Sequence, residues 1–369
     1  MRITTRLFLV SLATIGLAIP HSAVIARGSG GGSPIRIEDL GKPSGSLSGK
    51  AMAINDNGTV IVGSAYWDAT LTYSNGNFAT RWTRSSTTGA WLAEDLRPLL
   101  PRSTWSWGEQ VNNAGTATFR NMDYADGQTY SFVVTMSNSI TNLGAMAVPM
   151  HLSEAEAMAG IGFSAGGPAQ NLPLFWPSTI ANPQVLPVLE SGFPGQAYFI
   201  DGANIIGTAD DAAGKWLVRW SGGSGNWTIA RIALLPPTAE PTGLNSSGRL
   251  SLWICDPLPC DNGRNARAAV WDPPYAGRPT YLPTLTGPTS RAFAVAEDGT
   301  VVGDVVASNG YDMLPVIWPT PTTVVALPLL ASGKAGSARQ INSYKQLVGH
   351  VEVAVKGRRE SHAVLWTLP

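Results

Sequence analysis

Charge and histidine are scarce in this chain. Only 14% of its 369 residues are Asp, Glu, Lys or Arg, the formal net charge is zero, and four residues are histidine. A neutral chain has no field to draw in a polyanion, so nucleic acid is not the expected partner, and neither is an anionic membrane surface. There are two cysteines, Cys255 and Cys260, with four residues between them and no second ligand pair to make a thiolate metal site. Beyond the first residues no segment reaches the roughly 20 apolar residues that a membrane helix needs, so no span is expected once the leader is removed.

The opening of the chain is organised as an export signal. Arg2 and Arg6 precede an apolar run from Leu7 to Ile19, and small residues and Pro20 follow. Ala18, Ala23 and Ala26 each qualify as the last residue of the leader; taking residues 1–26 as the leader, the product is secreted or periplasmic. Residues 27–34 are glycine and serine rich and read as a flexible linker. Their glycines lack the Gly-Lys-Ser/Thr of a phosphate loop, and neither a cofactor nor a metal is expected. In an oxidising compartment Cys255 and Cys260 are expected to form a disulfide that pins one loop.

What the chain has in plenty is Gly (40), Pro (27) and Trp (13), the composition of many short strands joined by tight turns. One phrase recurs along it, clearest as Ala53-Ile54-Asn55-Asp56-Asn57-Gly58-Thr59-Val60-Ile61-Val62-Gly63 and as Val295-Ala296-Glu297-Asp298-Gly299-Thr300-Val301-Val302-Gly303. Each copy reads as a hairpin whose Asn, Asp and Gly tolerate positive φ. A second mark is a strand closing on tryptophan, at Trp82, Trp176, Trp220, Trp271, Trp318 and Trp366, with Val134 in the remaining slot. A third is Leu-Pro or Leu-Gly, as at Leu186-Pro187, Leu282-Pro283 and Leu327-Pro328.

Together these marks give seven units of about 47 residues, each of about four strands. A lone four-stranded sheet leaves both faces exposed and buries them only against like neighbours in a ring, so residues 35–369 are expected to form an all-β, seven-bladed propeller. The last unit stops at Trp366 without a fourth strand, while Ile35–Gly41 is a fourth strand without a unit. The early strand is therefore expected to complete the last blade and leave no open edge. An open β-solenoid or a pair of β-sandwiches would not need that match.

The phrases Asp39-Leu40-Gly41, Ala53-Ile54-Asn55-Asp56-Asn57-Gly58, Val302-Gly303 and His362-Ala363-Val364-Leu365-Trp366 resemble the HAF-repeat family of extracellular bacterial proteins. A unit of that family runs Asp-Leu-Gly, Ala-x-x-Ile-Asn-x-x-Gly, Val-Val-Gly, His-Ala-Phe-x-Trp. Here the motif histidine occurs once, at His362; Phe78, Tyr130, Trp216, Arg267 or Leu314 takes its place elsewhere. The resemblance implies an exported repeat protein and carries no activity with it.

Chemistry is sparse. Gly162-Phe163-Ser164-Ala165-Gly166 matches the serine-hydrolase elbow, but Gly-Pro-Ala-Gln-Asn follows where that elbow needs a helix. His350 and His362 flank one hairpin, yet no partner carboxylate is indicated, and His362 occupies an ordinary repeat slot. The acidic turns supply too few carboxylates each to cage calcium. The face formed by the loops between second and third strands and between units is richer. There the sequence places Tyr66, Trp67, Asp68, Trp105, Trp107, Asp123, Tyr124, Tyr311 and Asp312, aromatics beside carboxylates that suit stacking on sugars or a protein hot spot. The reading is a binding or scaffold module for an extracellular glycan or protein; the alternative is a propeller hydrolase or lyase acting on extracellular glycans.

Overall fold

A computed structural model of the chain describes residues 24–25, 34–67, 76–100, 105–123, 126–163, 171–223, 225–255 and 265–369. Seven antiparallel four-stranded sheets follow one another around an axis, giving a seven-bladed β-propeller. Blade 1 runs inside to out as Ser48–Ile54, Val60–Trp67, Gly76–Arg84 and Trp91–Asp95. Blade 6 comprises Ser290–Val295, Val301–Val306, Met313–Thr320 and Thr323–Ala326. Blade 7 supplies Gly333–Ile341, Gln346–Val355 and Arg358–Thr367 from its own repeat. Innermost strands touch those of the neighbouring blades all the way around, including Gly333–Ile341 against Ser48–Ile54.

The ring is closed as expected. Arg36–Asp39 pairs antiparallel with Arg358–Thr367, setting Ile37 against Trp366 and Asp39 against Val364, and becomes the fourth strand of blade 7. A two-residue strand, Val24–Ile25, pairs outside it. That pair lies within the segment read as a leader; the rest of 1–26, and residues 27–33 of the expected linker, fall outside the described residues.

The three sequence marks have physical causes. In the first hairpin the Asn55 side-chain carbonyl accepts the backbone N–H groups of Thr59 and Val60, both at 2.9 Å, while Gly58 takes φ 69°. Asn112, Asn245 and Asn342 clamp their own turns in the same way. The glycine closing the phrase answers to a β-bulge. In all seven blades the innermost strand slips by one residue at the equivalent position, as between Ala51 and Ala53 or Ala292 and Ala294. The bulge drives a carbonyl toward the second strand, where a side chain at Gly63 or Gly303 would collide with the carbonyl oxygen of Lys50 or Arg291.

Tryptophan and Leu-Pro are two halves of one contact. Trp82, Trp220, Trp318 and Trp366 are fully buried, and each donates its indole N–H to a carbonyl of the preceding blade: Gly41 (3.0 Å), Pro187 (2.7 Å), Pro283 (2.7 Å) and Pro328 (2.8 Å). Leu40, Leu186, Leu282 and Leu327, one residue earlier in each case, are buried too. At roughly 25 cal/mol per Å², about 200 Å² of indole comes to about 5 kcal/mol before entropy is counted. Apolar clusters accordingly sit at the boundaries between blades, such as Ile61 and Trp82 with Val348 and Leu365 where blade 7 meets blade 1.

Candidate functional site

The two faces of the ring differ in what their polar groups do. On the face carrying the hairpin turns, acidic side chains bond to the turn of the preceding blade. Asp56 accepts the Ser343 N–H (2.8 Å), Glu154 the Asn113 N–H (2.9 Å) and Glu297 the Ser246 N–H (3.1 Å). Asn342 reaches across to the carbonyls of Asn55 and Asp56. The acidic turns are thus occupied as inter-blade clasps.

The opposite, loop-rich face holds a cavity of about 370 Å³ where blades 6, 7 and 1 meet. The bulged hairpin builds most of it. Arg291 pairs in register with Asp304, and Ser337 with His350; both pairs, like Lys50, occupy the register position just before the bulge on the loop-rich side. Arg339 is the extra residue of the blade 7 bulge. Asp312 and Tyr311 come from the loop between the second and third strands of blade 6, and Glu352 and Arg359 from blade 7. In that loop the Asn309 side chain accepts the N–H groups of Tyr311 and Asp312, both at 3.0 Å, which turns Asp312 toward the pocket.

Two of the four cations are matched. Arg291 makes a bidentate pair with the fully buried Asp304 (3.0 and 2.8 Å). Arg359 makes another with Asp312 (2.5 and 3.2 Å) and approaches Glu352 at 3.3 Å. The Arg359 guanidinium holds the Asp312 carboxyl below the usual carboxylate range. Lys50 and Arg339 have no ion-pair partner among the described residues; Arg339 lies over the Phe293 ring at 4.2 Å. Burial lowers the pKa of Lys50, helped by Arg339 and opposed by Glu352. Arg339 is lowered by burial, and His350 is held well below its ordinary value by burial, then by Lys50, Arg339 and Arg291. Ser337 Oγ, Arg339 Nε and His350 Nδ1 are buried without a hydrogen-bond partner among the described residues.

Arg339 also lines a second cavity of about 210 Å³ further along the axis, with Met52, Gln110, His151 and Phe293. Burial lowers the His151 pKa to about 4. In blade 2, Glu109 accepts the Trp107 indole N–H (2.6 Å) and pairs with Arg120 (2.9 Å); burial raises its pKa against both.

Of the loop residues singled out from sequence, Tyr311 and Asp312 reach the pocket, and Tyr311 is 83% exposed at its rim. Tyr66, Trp105 and Trp107 are half-buried in their strands. Trp67 is 8% exposed, packed edge-on against Phe78 with the Arg97 guanidinium 3.8 Å from its ring, so it faces its own blade. Asp123 is also buried. Asp68, Tyr124 and Ser164 lie outside the described residues. Cys255 is buried at the end of Leu250–Cys255 and no described cysteine is free; Cys260 lies outside the described residues. His362, read from sequence as lacking a carboxylate, has one: its Nδ1 is 2.7 Å from Asp39 Oδ2.

Sequence reasoning missed Lys50, Arg291, Asp304, Ser337, Arg339, Glu352 and Arg359, and it set His350 aside. A signal was present: Asp304 and His350 each follow the repeat glycine directly.

No family model and no curated protein matches the chain. Solved structures that resemble it include the β-propeller domain of the Trilobed protease from Pyrococcus furiosus, at 10% identity and TM-score 0.55, over 86% of this chain and 95% of that one. Puromycin hydrolase resembles it at 15% identity and TM-score 0.54, over 86% of this chain and 52% of that one. So does an acylaminoacyl peptidase from Pyrococcus horikoshii, at 10% identity and TM-score 0.52, over 86% of this chain and 50% of that one. The chain spans about half the length of the last two. At these identities the likeness establishes the fold alone. The Trilobed protease propeller is described as having an open velcro topology, whereas Arg36–Asp39 closes the ring here.

Proposed function

We propose that this chain is an exported binding module that holds its ligand at the loop-rich face, in the pocket between blades 6, 7 and 1. One observation carries the reading: Ser337, Arg339 and His350 line that pocket, and each carries a buried polar atom with no hydrogen-bond partner among the described residues. Leaving such groups unmatched is costly, and a bound molecule that meets them removes the cost. Export rests on the leader-like opening and on the likeness to HAF repeats, whose Asp39-Leu40-Gly41 and His362–Trp366 phrases meet at the ring closure. Screening immobilised protein against a glycan array and an extracellular protein fraction tests the reading. A ligand should be retained by the parent chain and lost by a Ser337→Val, His350→Phe double variant that still unfolds cooperatively. Equal retention by both overturns the pocket.

A second reading, a propeller lyase or hydrolase acting on extracellular glycans, is favoured by Lys50 and His350. Both are shifted toward their neutral forms at one cavity, as a general base requires. Release of new reducing ends from a retained glycan would support it; an unchanged glycan would leave binding alone.

A further inference from the structure

Resting on that reading of the pocket, we propose that its ligand is an acidic sugar, whose carboxylate or sulfate group seats between Lys50 and Arg339. The charge inventory points first in this direction. Arg291 is neutralised in a two-point pair by a fully buried Asp304, and Arg359 by Asp312 with Glu352 nearby. What is left without a direct ion pair is Lys50 and Arg339, on adjacent inner strands of blades 1 and 7, with Glu352 acting on Lys50 and Asp304 on Arg339 from longer range. Half-buried cations without a direct ion pair are costly to hold, and this pocket sets four cations against three carboxylates.

Hydrogen-bonding geometry points the same way. A group that satisfies a hydroxyl, a guanidinium Nε–H and a neutral imidazole in its Nδ1–H tautomer is an acceptor with several lone pairs, as an oxyanion is. Ser337, Arg339 and His350 line the pocket, and each carries such a group without a partner among the described residues. A single negative charge fits better than a double one, because three carboxylates already line the walls: Asp304, Asp312 and Glu352. That favours a carboxylate or sulfate ester over a phosphate dianion.

Shape supplies the sugar. The cavity, at about 370 Å³, falls at the small end of the range for ligand sites. It opens on the face where Tyr311 stands 83% exposed beside it. An aromatic ring at the rim of a charged pocket suits stacking on the next residue of a chain whose acid group lies inside.

The test is isothermal titration of the full mature chain with oligogalacturonate, a sulfated galactan oligosaccharide and neutral cello-oligosaccharide as probes. The expected result is binding of at least one acidic probe, weakened by added salt. That binding should fall about tenfold or more in Lys50→Met and in Arg339→Met, and less in Tyr311→Ala. Unfolding midpoints no lower than the parent's show that the variants fold. If the neutral probe binds as tightly as the acidic ones and is lost with Ser337→Val, His350→Phe, the pocket stands and the anion assignment falls. Acidic binding that ignores all these variants overturns both, and failure of every acidic probe overturns the assignment.

Discussion

His362 Nδ1 lies 2.7 Å from Asp39 Oδ2, across 323 residues of sequence, and fastens the closing strand to blade 7. The other Asp39 oxygen accepts the Gly41 N–H at 2.9 Å, and the Gly41 carbonyl in turn accepts the Trp82 indole N–H. One three-residue segment therefore ties the last blade to the first. Asp39→Ala removes both of these bonds and is expected to cost about 1–3 kcal/mol in urea unfolding. His362→Phe installs an aromatic like those in other units and should cost less. A parent-like midpoint for Asp39→Ala would show that backbone pairing alone holds the closure.

Two buried tryptophans offer a matched comparison. Trp82 donates to Gly41, whereas the Trp176 indole nitrogen, equally buried, has no partner among the described residues. Phenylalanine leaves a cavity at either site, but only at position 82 does it also orphan a carbonyl. Trp82→Phe should cost about 1 kcal/mol more than Trp176→Phe. Equal losses would mean that the inter-blade bond adds nothing beyond packing.

Fold was far more legible in the sequence than site, for a physical reason. Hairpin turn, closing tryptophan and Leu-Pro each obey local rules, and repetition let weak copies be aligned with strong ones. The pocket obeys no local rule. Lys50, Arg291 and Arg339 are isolated charges in three separate inner strands, brought together only when the ring closes and each bulge re-aims its neighbours. Trp67 misled in the opposite sense. It stands at a strand end that reads as loop, yet Phe78 and Arg97 cover it from within blade 1. The glycine of Val-Val-Gly was visible as a mark, while the bulge that demands it belongs to the partner strand.

That demand is testable at Gly303. A methyl group there would strike the Arg291 carbonyl, and backbone cannot swing aside as a flexible side chain can. Gly303→Ala should destabilise by about 3 kcal/mol or more. Gly223→Ala, at a position with open space and no positive φ, should stay within about 0.5 kcal/mol. A tolerated alanine at position 303 would show that the bulge can relax.

Acid should weaken the fold through its buried imidazoles. Burial lowers His151 from 6.5 to about 4, so below pH 6.5 the unfolded chain takes up a proton that the folded chain refuses. Its contribution is complete above pH 6.5 and drains away between there and about pH 4, reaching about 3 kcal/mol. His350, shifted in the same direction, adds to the effect. Urea midpoints followed from pH 7 to 4 should fall less steeply for His151→Gln than for the parent. Parallel curves would mean that His151 takes up its proton as readily in the folded chain as in the unfolded one.

If Lys50 and Arg339 are held for a ligand, they are held against stability. Each sits at the pocket without an ion-pair partner among the described residues, and replacing a half-buried charge by an apolar side chain of similar length removes a desolvation cost without opening a cavity. Met is such a replacement. Lys50→Met and Arg339→Met are each expected to raise the ligand-free protein by about 1 kcal/mol, the reverse of what most core changes do. The double variant should gain less than the sum of the two single gains, because either change alone already relieves the repulsion between the cations. Thermal and urea unfolding both report the change, and raising the salt concentration should shrink the gain by screening the parent's repulsion. A loss of stability in both single variants would mean that these side chains act as structural props for the ring, and would take from the pocket the excess charge on which its ligand assignment depends.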